Sequence, residues 1–204
     1  MDYKAVGLEG FGRPDNYLDR QVSRWQRQLE SYAEYPGWAG PGEIPSIERV
    51  ARWLSDNRPP SFVPGIIHGD YHFGNVLYRY DGPQLAAIVD WELTTVGDPL
   101  VDLGRLLSTW SDGNGTRAGA GKSIEPWEGF PSARDLIAHY AEWSSRDLSA
   151  IDWYVVLSCY KIGIILEGSN ARAAAGKAPR DIGDRLHAGA IDLFERALSV
   201  IESN

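Results

Sequence analysis

The 204-residue chain has a single cysteine, Cys159. It can therefore form no internal disulfide and no structural zinc site built on cysteines. Long apolar runs are also missing. The longest charge-free run near the C-terminus, Trp153 to Tyr160, stops at Lys161, far short of the roughly 20 apolar residues that a membrane span needs. Positive charge is in the minority, with 20 Lys and Arg against 28 Asp and Glu and a formal net charge of −8. Such a surface repels a phosphate backbone, which speaks against nucleic-acid binding through bulk charge. It suits cationic ligands or divalent metals. The opening Met1-Asp2-Tyr3-Lys4 leads into Gly-rich sequence and shows no apolar signal-peptide core. The expected setting is soluble, reducing and cytoplasmic, with neither nucleic acid nor membrane as partner. What is present is an ordinary globular composition, 43% hydrophobic and 24% charged, in a chain long enough to bury a core without covalent staples.

Hydrophobic spacing divides the chain. Residues 1–60 read as an opening helical segment. Asp15 or Asn16 is placed to cap a first helix, whose stripe is Leu18, Val22, Trp25, Leu29 and Tyr32. Arg20, Arg24 and Arg27 fall off that stripe, as a solvated face with local ion pairs. Residues 36–45 hold three prolines and three glycines and read as a loop. Pro45 and Ser46 open a second helix running to about Asn57, and Pro59, Pro60 and Pro64 make a rigid connector. Residues 61–110 change character. Ile66-Ile67 reads as a short strand, and Val76 to Tyr78 and Leu85 to Val89 as a hairpin turned by Asp81-Gly82-Pro83. A helix follows from Pro99 to near Trp110. Residues 111–131, Gly-rich and polar, read as a mobile loop. Residues 132–204 read as three helices, about Ser132–Trp143, Ile151–Ala174 and Arg180–Glu202. The fold class is α+β, mostly α, with a small β-hairpin core, and the whole of 1–204 reads as one lobe.

The chemistry is concentrated in His68 to Asp102, HGDYHFGNVLYRYDGPQLAAIVDWELTTVGDPLVDL. Asp70 and Asn75 are five apart across Gly74, and Asp90 ends the next strand. Magnesium takes hard oxygen ligands and keeps several waters, so one or two side-chain oxygens are enough to hold it. Asn75 and Asp90 can supply them from the two sides of a hairpin. Asp70 is then free to orient or deprotonate an attacking hydroxyl, and phosphoryl transfer asks for little beyond positioning and charge neutralisation. A single aspartate in a turn is usually a turn former, and Asp81 is read that way. The set is more specific than its parts, because a His-x-Asp turn, an asparagine five residues on and an aspartate closing the hairpin reproduce the catalytic and metal loops of kinases.

HGDYHFGN, IVDWE and GDPLVDL resemble the aminoglycoside phosphotransferase and choline-kinase-like family, of protein-kinase-like fold. The opening AVGLEGFGRPDNYLDRQVSRWQRQL is similar to a branch related to kinase domains found with acyl-CoA dehydrogenases. The resemblance implies a kinase C-terminal lobe with Mg2+ and ATP (or GTP) as cofactors and a small-molecule hydroxyl as phosphate acceptor. It implies Asp70 as catalytic base, Asn75 and Asp90 as metal and nucleotide ligands, and His68 as the brace of the catalytic loop. Asp98 and Asp102 would tie loop to helix. Trp91 and Glu92, directly after the metal aspartate, would face the acceptor. Family members begin with a mostly β lobe carrying a glycine-rich loop and a phosphate-gripping lysine. No run before His68 offers those parts, so the expectation is a C-lobe with the N-lobe absent.

Three other patterns invite chemistry. Thr116 to Ser123 nearly spells a phosphate loop but has Thr116 where the motif needs glycine. His68 and His72 suggest a metal pair, which Gly69 and the lack of a cysteine partner spoil. Cys159 lies in a Val-, Leu- and Ile-rich helix and reads as a core residue. Two functions remain open: a small-molecule phosphotransferase, or a non-catalytic kinase-like lobe acting as a binding module. In the second, an exposed lobe face would be covered by self-association or by an N-lobe partner.

Overall fold

Residues 151–164 offer no continuous polar face, and a helix apolar all round belongs in the middle of a core. In the computed structural model, which describes residues 2–44, 46–111 and 129–203, that segment is the axis of the molecule. Among the described residues six α-helices surround or form the core: α1 Gln21–Ser31, α2 Ile47–Asp56, α3 Leu100–Ser108, α4 Ala133–Trp143, α5 Ile151–Ala174 and α6 Arg180–Glu202. Helix α5 packs mainly against α6 and α3, and also against α1 and α2. Trp153, Val156, Cys159, Tyr160 and Ile164 of α5 are almost fully buried. Each large apolar side chain so buried contributes about 1.5–3 kcal/mol. Trp153 also donates its indole N–H to the Leu54 carbonyl at 2.8 Å, closing α5 onto the end of α2.

Close approach of the helices depends on small residues. A Cβ on Gly104 would lie 2.5 Å from the Tyr154 carbonyl oxygen, so α3 meets the α5 backbone directly. Far from the hairpins, Glu167 of α5 is completely buried and fully engaged. It accepts from the Trp38 indole at 2.6 Å and from Asn170 at 2.9 Å, and pairs with His187 of α6 at 2.6 Å. A carboxylate in the core is tolerable only with such partners.

Among the described residues four short strands, β1 Gly65–Ile67, β2 Val76–Tyr78, β3 Leu85–Ile88 and β4 Thr95–Gly97, form two antiparallel pairs. The β2–β3 hairpin matches the expected one. Strand β4 was not expected; it pairs with β1 in the register Gly65↔Gly97, Ile66↔Val96, Ile67↔Thr95. The first helix also opens differently. Asn16 has φ +54°, no side chain caps the helix, and a 3-10 turn over Leu18–Arg20 leads into α1. Among the described residues none of Arg20, Arg24 and Arg27 makes an ion pair. Arg20 donates instead to the main-chain carbonyls of Arg13 (2.6 Å) and Asp15. Pro45, most of the 111–131 loop and the phosphate-loop-like Thr116–Ser123 lie outside the described residues. Among those described, no helix is long and apolar enough to cross a membrane.

Candidate active site

Strand β1 delivers the chain into His68-Gly69-Asp70, and α3 receives it. Asp102, in the first turn of α3, accepts the His68 N–H at 2.7 Å and the Gly69 N–H at 2.9 Å. Burial pushes the Asp102 carboxyl up, and the two amides only partly offset it. Gly69 has φ +92°, and a Cβ there would come 2.5 Å from the Leu93 carbonyl oxygen, so only glycine fits. The Gly69 carbonyl accepts from Lys161 Nζ, on α5, at 2.6 Å. Burial draws the Lys161 ammonium down to about 8, against the pull of Asp70 and Asp102.

Asp70 sits between Arg105 and His72. Arg105 Nε, from α3, donates to Oδ1 at 2.8 Å, and His72 Nε2 lies 3.4 Å from Oδ2. Burial alone would raise this carboxyl. The hydrogen bond from His72 and the charge and hydrogen bond of Arg105 outweigh it and hold the group well below the usual carboxylate range. Asp70 is therefore a fixed, ionised acceptor rather than a strong base.

Asn75 and Asp90 are placed by strand register. A 3-10 turn over Phe73–Asn75, capped by His72 accepting the Gly74 N–H, aims Asn75 back at the loop. Its amide donates to the Asp70 carbonyl at 3.0 Å, which leaves Oδ1 as the free atom. Val76 pairs with Ile88, and Val89 donates to the Asn75 carbonyl at 2.9 Å. Asp90, the next residue, is thus set beside Asn75. It is exposed, makes no ion pair among the described residues, and stands in the left-handed region at φ +67°. Aspartate is among the few side chains that occupy that region without great cost, and such outliers cluster at working sites. His68 closes the ring. Its Nε2 bonds to the Val89 carbonyl at 2.8 Å, and its Nδ1 accepts the Asp70 N–H at 3.3 Å.

The remaining predicted residues are distributed around this centre. Asp98 is buried on the α5 side, accepting from the Tyr154 hydroxyl at 2.5 Å and the Leu100 N–H at 3.1 Å, with Arg146 at 3.9 Å. The exposed Trp91 leans its ring on His68 (4.7 Å between centroids) and donates to the Ile88 carbonyl at 2.7 Å, both packing contacts. Glu92 is exposed and borders a separate cavity described below. Both nitrogens of His68 are spent inside the loop. Cys159 is fully buried, with its thiol pushed up to about 12 by burial. Among the described residues no group of three or more His, Cys, Asp or Glu could hold a metal ion. Sequence reasoning missed Arg105 and Lys161 as partners of the loop. The available signal was a cation, Arg105 or Lys161, set among apolar neighbours in its helix.

The profile of the phosphotransferase enzyme family matches residues 1–136, which include His68 to Asp102. The chain belongs to that family. Acyl-CoA dehydrogenase family member 11 of Gallus gallus is 30% identical over 87% of this phosphotransferase-family chain and 23% of its own length. Probable acyl-CoA dehydrogenase IBR3 of Arabidopsis thaliana is 29% identical over 98% of the chain and 25% of its own length. The chain thus spans about a quarter of these curated relatives. A homoserine kinase of Beijerinckia indica is 24% identical over 67% of the chain and 41% of its own length. A solved Ralstonia eutropha protein, named for the aminoglycoside phosphotransferases, superposes with a TM-score of 0.79. It is 28% identical and is matched over 98% of this chain and 60% of that one. The mostly helical α+β fold with small antiparallel sheets is therefore that of an aminoglycoside phosphotransferase.

Proposed function

We propose that this chain carries the catalytic residues of a small-molecule kinase, which moves the terminal phosphoryl group of a nucleoside triphosphate to a substrate hydroxyl. The observation that carries the reading is one hydrogen-bonded ring of His68, Asp70, Asn75 and Val89, with Asp90 the next residue after Val89. The residues fit a hydrated magnesium ion, since Asn75 Oδ1 and the Asp90 carboxylate are hard oxygens left without protein partners among the described residues, and water can complete the shell. When bound, a magnesium nucleotide supplies the phosphoryl group and neutralises charge on its phosphates. Asp70 accepts the acceptor's hydroxyl proton in a hydrogen bond and aims its oxygen. Its low proton affinity is adequate, because a loose phosphoryl-transfer transition state asks little of a base. His68 and Asp102 hold the loop in register, and Arg105 fixes the Asp70 rotamer.

The exposed strip of Leu77, Tyr78, Leu85, Trp91 and Leu93 beside this centre favours a covering partner. In this reading it receives the nucleotide and a lobe closing over it. In the competing reading, a non-catalytic interaction module, the same strip is the whole function. Transfer of label from γ-labelled ATP with Mg2+ to a panel of aminoglycosides, hydroxy acids and hydroxyacyl thioesters separates the two. The phosphotransferase reading expects at least one class to be labelled, with Asp70→Asn slowing transfer by about 10³-fold. No labelled class, or label transfer indifferent to Asp70→Asn, contradicts it.

A further inference from the structure

The chain's net charge is −8, yet one cavity beside the active site is lined with cations. It has a volume of about 460 Å³ and is bordered by Arg13, Arg20, Arg24, Glu92, Thr94 and Thr95, among others. Three guanidiniums face one carboxylate there. Arg20 is committed to main-chain carbonyls, but Arg13 and Arg24 have no carboxylate partner among the described residues. Arg20 and Arg24 are one helical turn apart and so share a face. The Thr94 hydroxyl, in the cavity wall, is buried with no hydrogen-bond partner, a state that native proteins rarely leave uncompensated.

One wall of the cavity packs against the catalytic loop. Leu93, another of its wall residues, has its backbone against Gly69, the neighbour of Asp70. The same loop holds Arg105 and Lys161. The exposed Arg24 guanidinium lies over the Trp25 ring at 5.3 Å, without a carboxylate partner among the described residues, and such guanidiniums present forked donors that match oxyanions.

From this we infer that the cavity is a subsite for an oxyanion group, phosphate or carboxylate, carried by the hydroxyl-bearing acceptor. The anion of the acceptor seats between Arg13 and Arg24, which leaves its hydroxyl to reach Asp70. A polycationic acceptor is disfavoured by the same charges. Assignment to the acceptor rests on the phosphotransferase reading; the existence of the anion site does not.

The test is calorimetric titration of the 204-residue chain with pyrophosphate and, separately, malonate, both in EDTA so that no metal–nucleotide site contributes. At least one probe should bind. Its dissociation constant should rise about tenfold or more in Arg24→Gln and in Arg13→Gln, and stay unchanged in Asp90→Ala. The probe that binds tells phosphate from carboxylate. Amide shifts at Thr94 and Thr95 on addition of the probe give a readout that does not depend on the variants folding. Failure of both probes to bind overturns the inference, as does binding indifferent to both arginine variants or binding lost in Asp90→Ala. None of these outcomes bears on label transfer to an acceptor, so the phosphotransferase reading stands or falls separately.

Discussion

At the scale of single residues, the Asp70 carboxylate owes its state to one neighbour from its own loop, His72, and one supplied by a helix, Arg105. Both hold it low, and Arg105 also fixes its direction. Arg105→Ala should let the carboxyl rise toward its ordinary value. The acid limb of the pH–rate profile then moves to higher pH, and kcat falls about tenfold from lost orientation. A pH–rate series on the two proteins checks both. Lys161 gives a second pH signature. Its folded value, about 8, lies below the ordinary 10.5. Between those values the unfolded chain binds more protons, so the contribution of this residue to stability rises with pH and is lost as pH falls through about 8. Melting temperatures of the native chain and Lys161→Met, measured at pH 7 and pH 9.5, should show the native chain gaining on the variant at the higher pH. A constant difference would contradict that placement.

At the scale of elements, what could be read in advance depended on where each element's stabilisation comes from. Helices α5 and α6 match their sequence-based ranges to the residue, because long apolar periodicity and Pro179 mark their limits. Strand β4 is three residues, Thr95-Val96-Gly97, with no alternation to betray it; only pairing with β1 makes it a strand. The cap expected from Asp15 or Asn16 failed because Arg20 holds that turn from outside. The same division holds at the active site. Asp70, Asn75 and Asp90 lie within one short stretch, so their spacing is informative. Arg105 and Lys161 arrive through packing of α3 and α5, which no local spacing encodes. That packing has its own test. Gly104→Ala puts a methyl group against the Tyr154 backbone, which cannot yield as a side chain can. Chemical denaturation should show a loss of about 1–3 kcal/mol, and a neutral result would mean that α3 and α5 do not meet so closely.

At the scale of the whole molecule, an acidic protein commits two cations from its core helices, Arg105 and Lys161, to one loop. The core of α5 and its neighbours provides the rigid frame on which that loop is hung, through Asp102, Lys161 and His68. A rigid frame matters because positioning within a fraction of an ångström is most of what phosphoryl transfer needs. The account therefore centres on whether Asn75 and Asp90 act together on one metal–nucleotide complex. Calorimetric titration of the chain with Mg-ATP, with EDTA as the metal-free arm, measures this directly. The expected result is metal-dependent binding that is lost in both Asn75→Ala and Asp90→Ala and kept in Asp70→Asn. Nucleotide binding equally strong in all three variants, or none in the native chain at millimolar concentration, would contradict it.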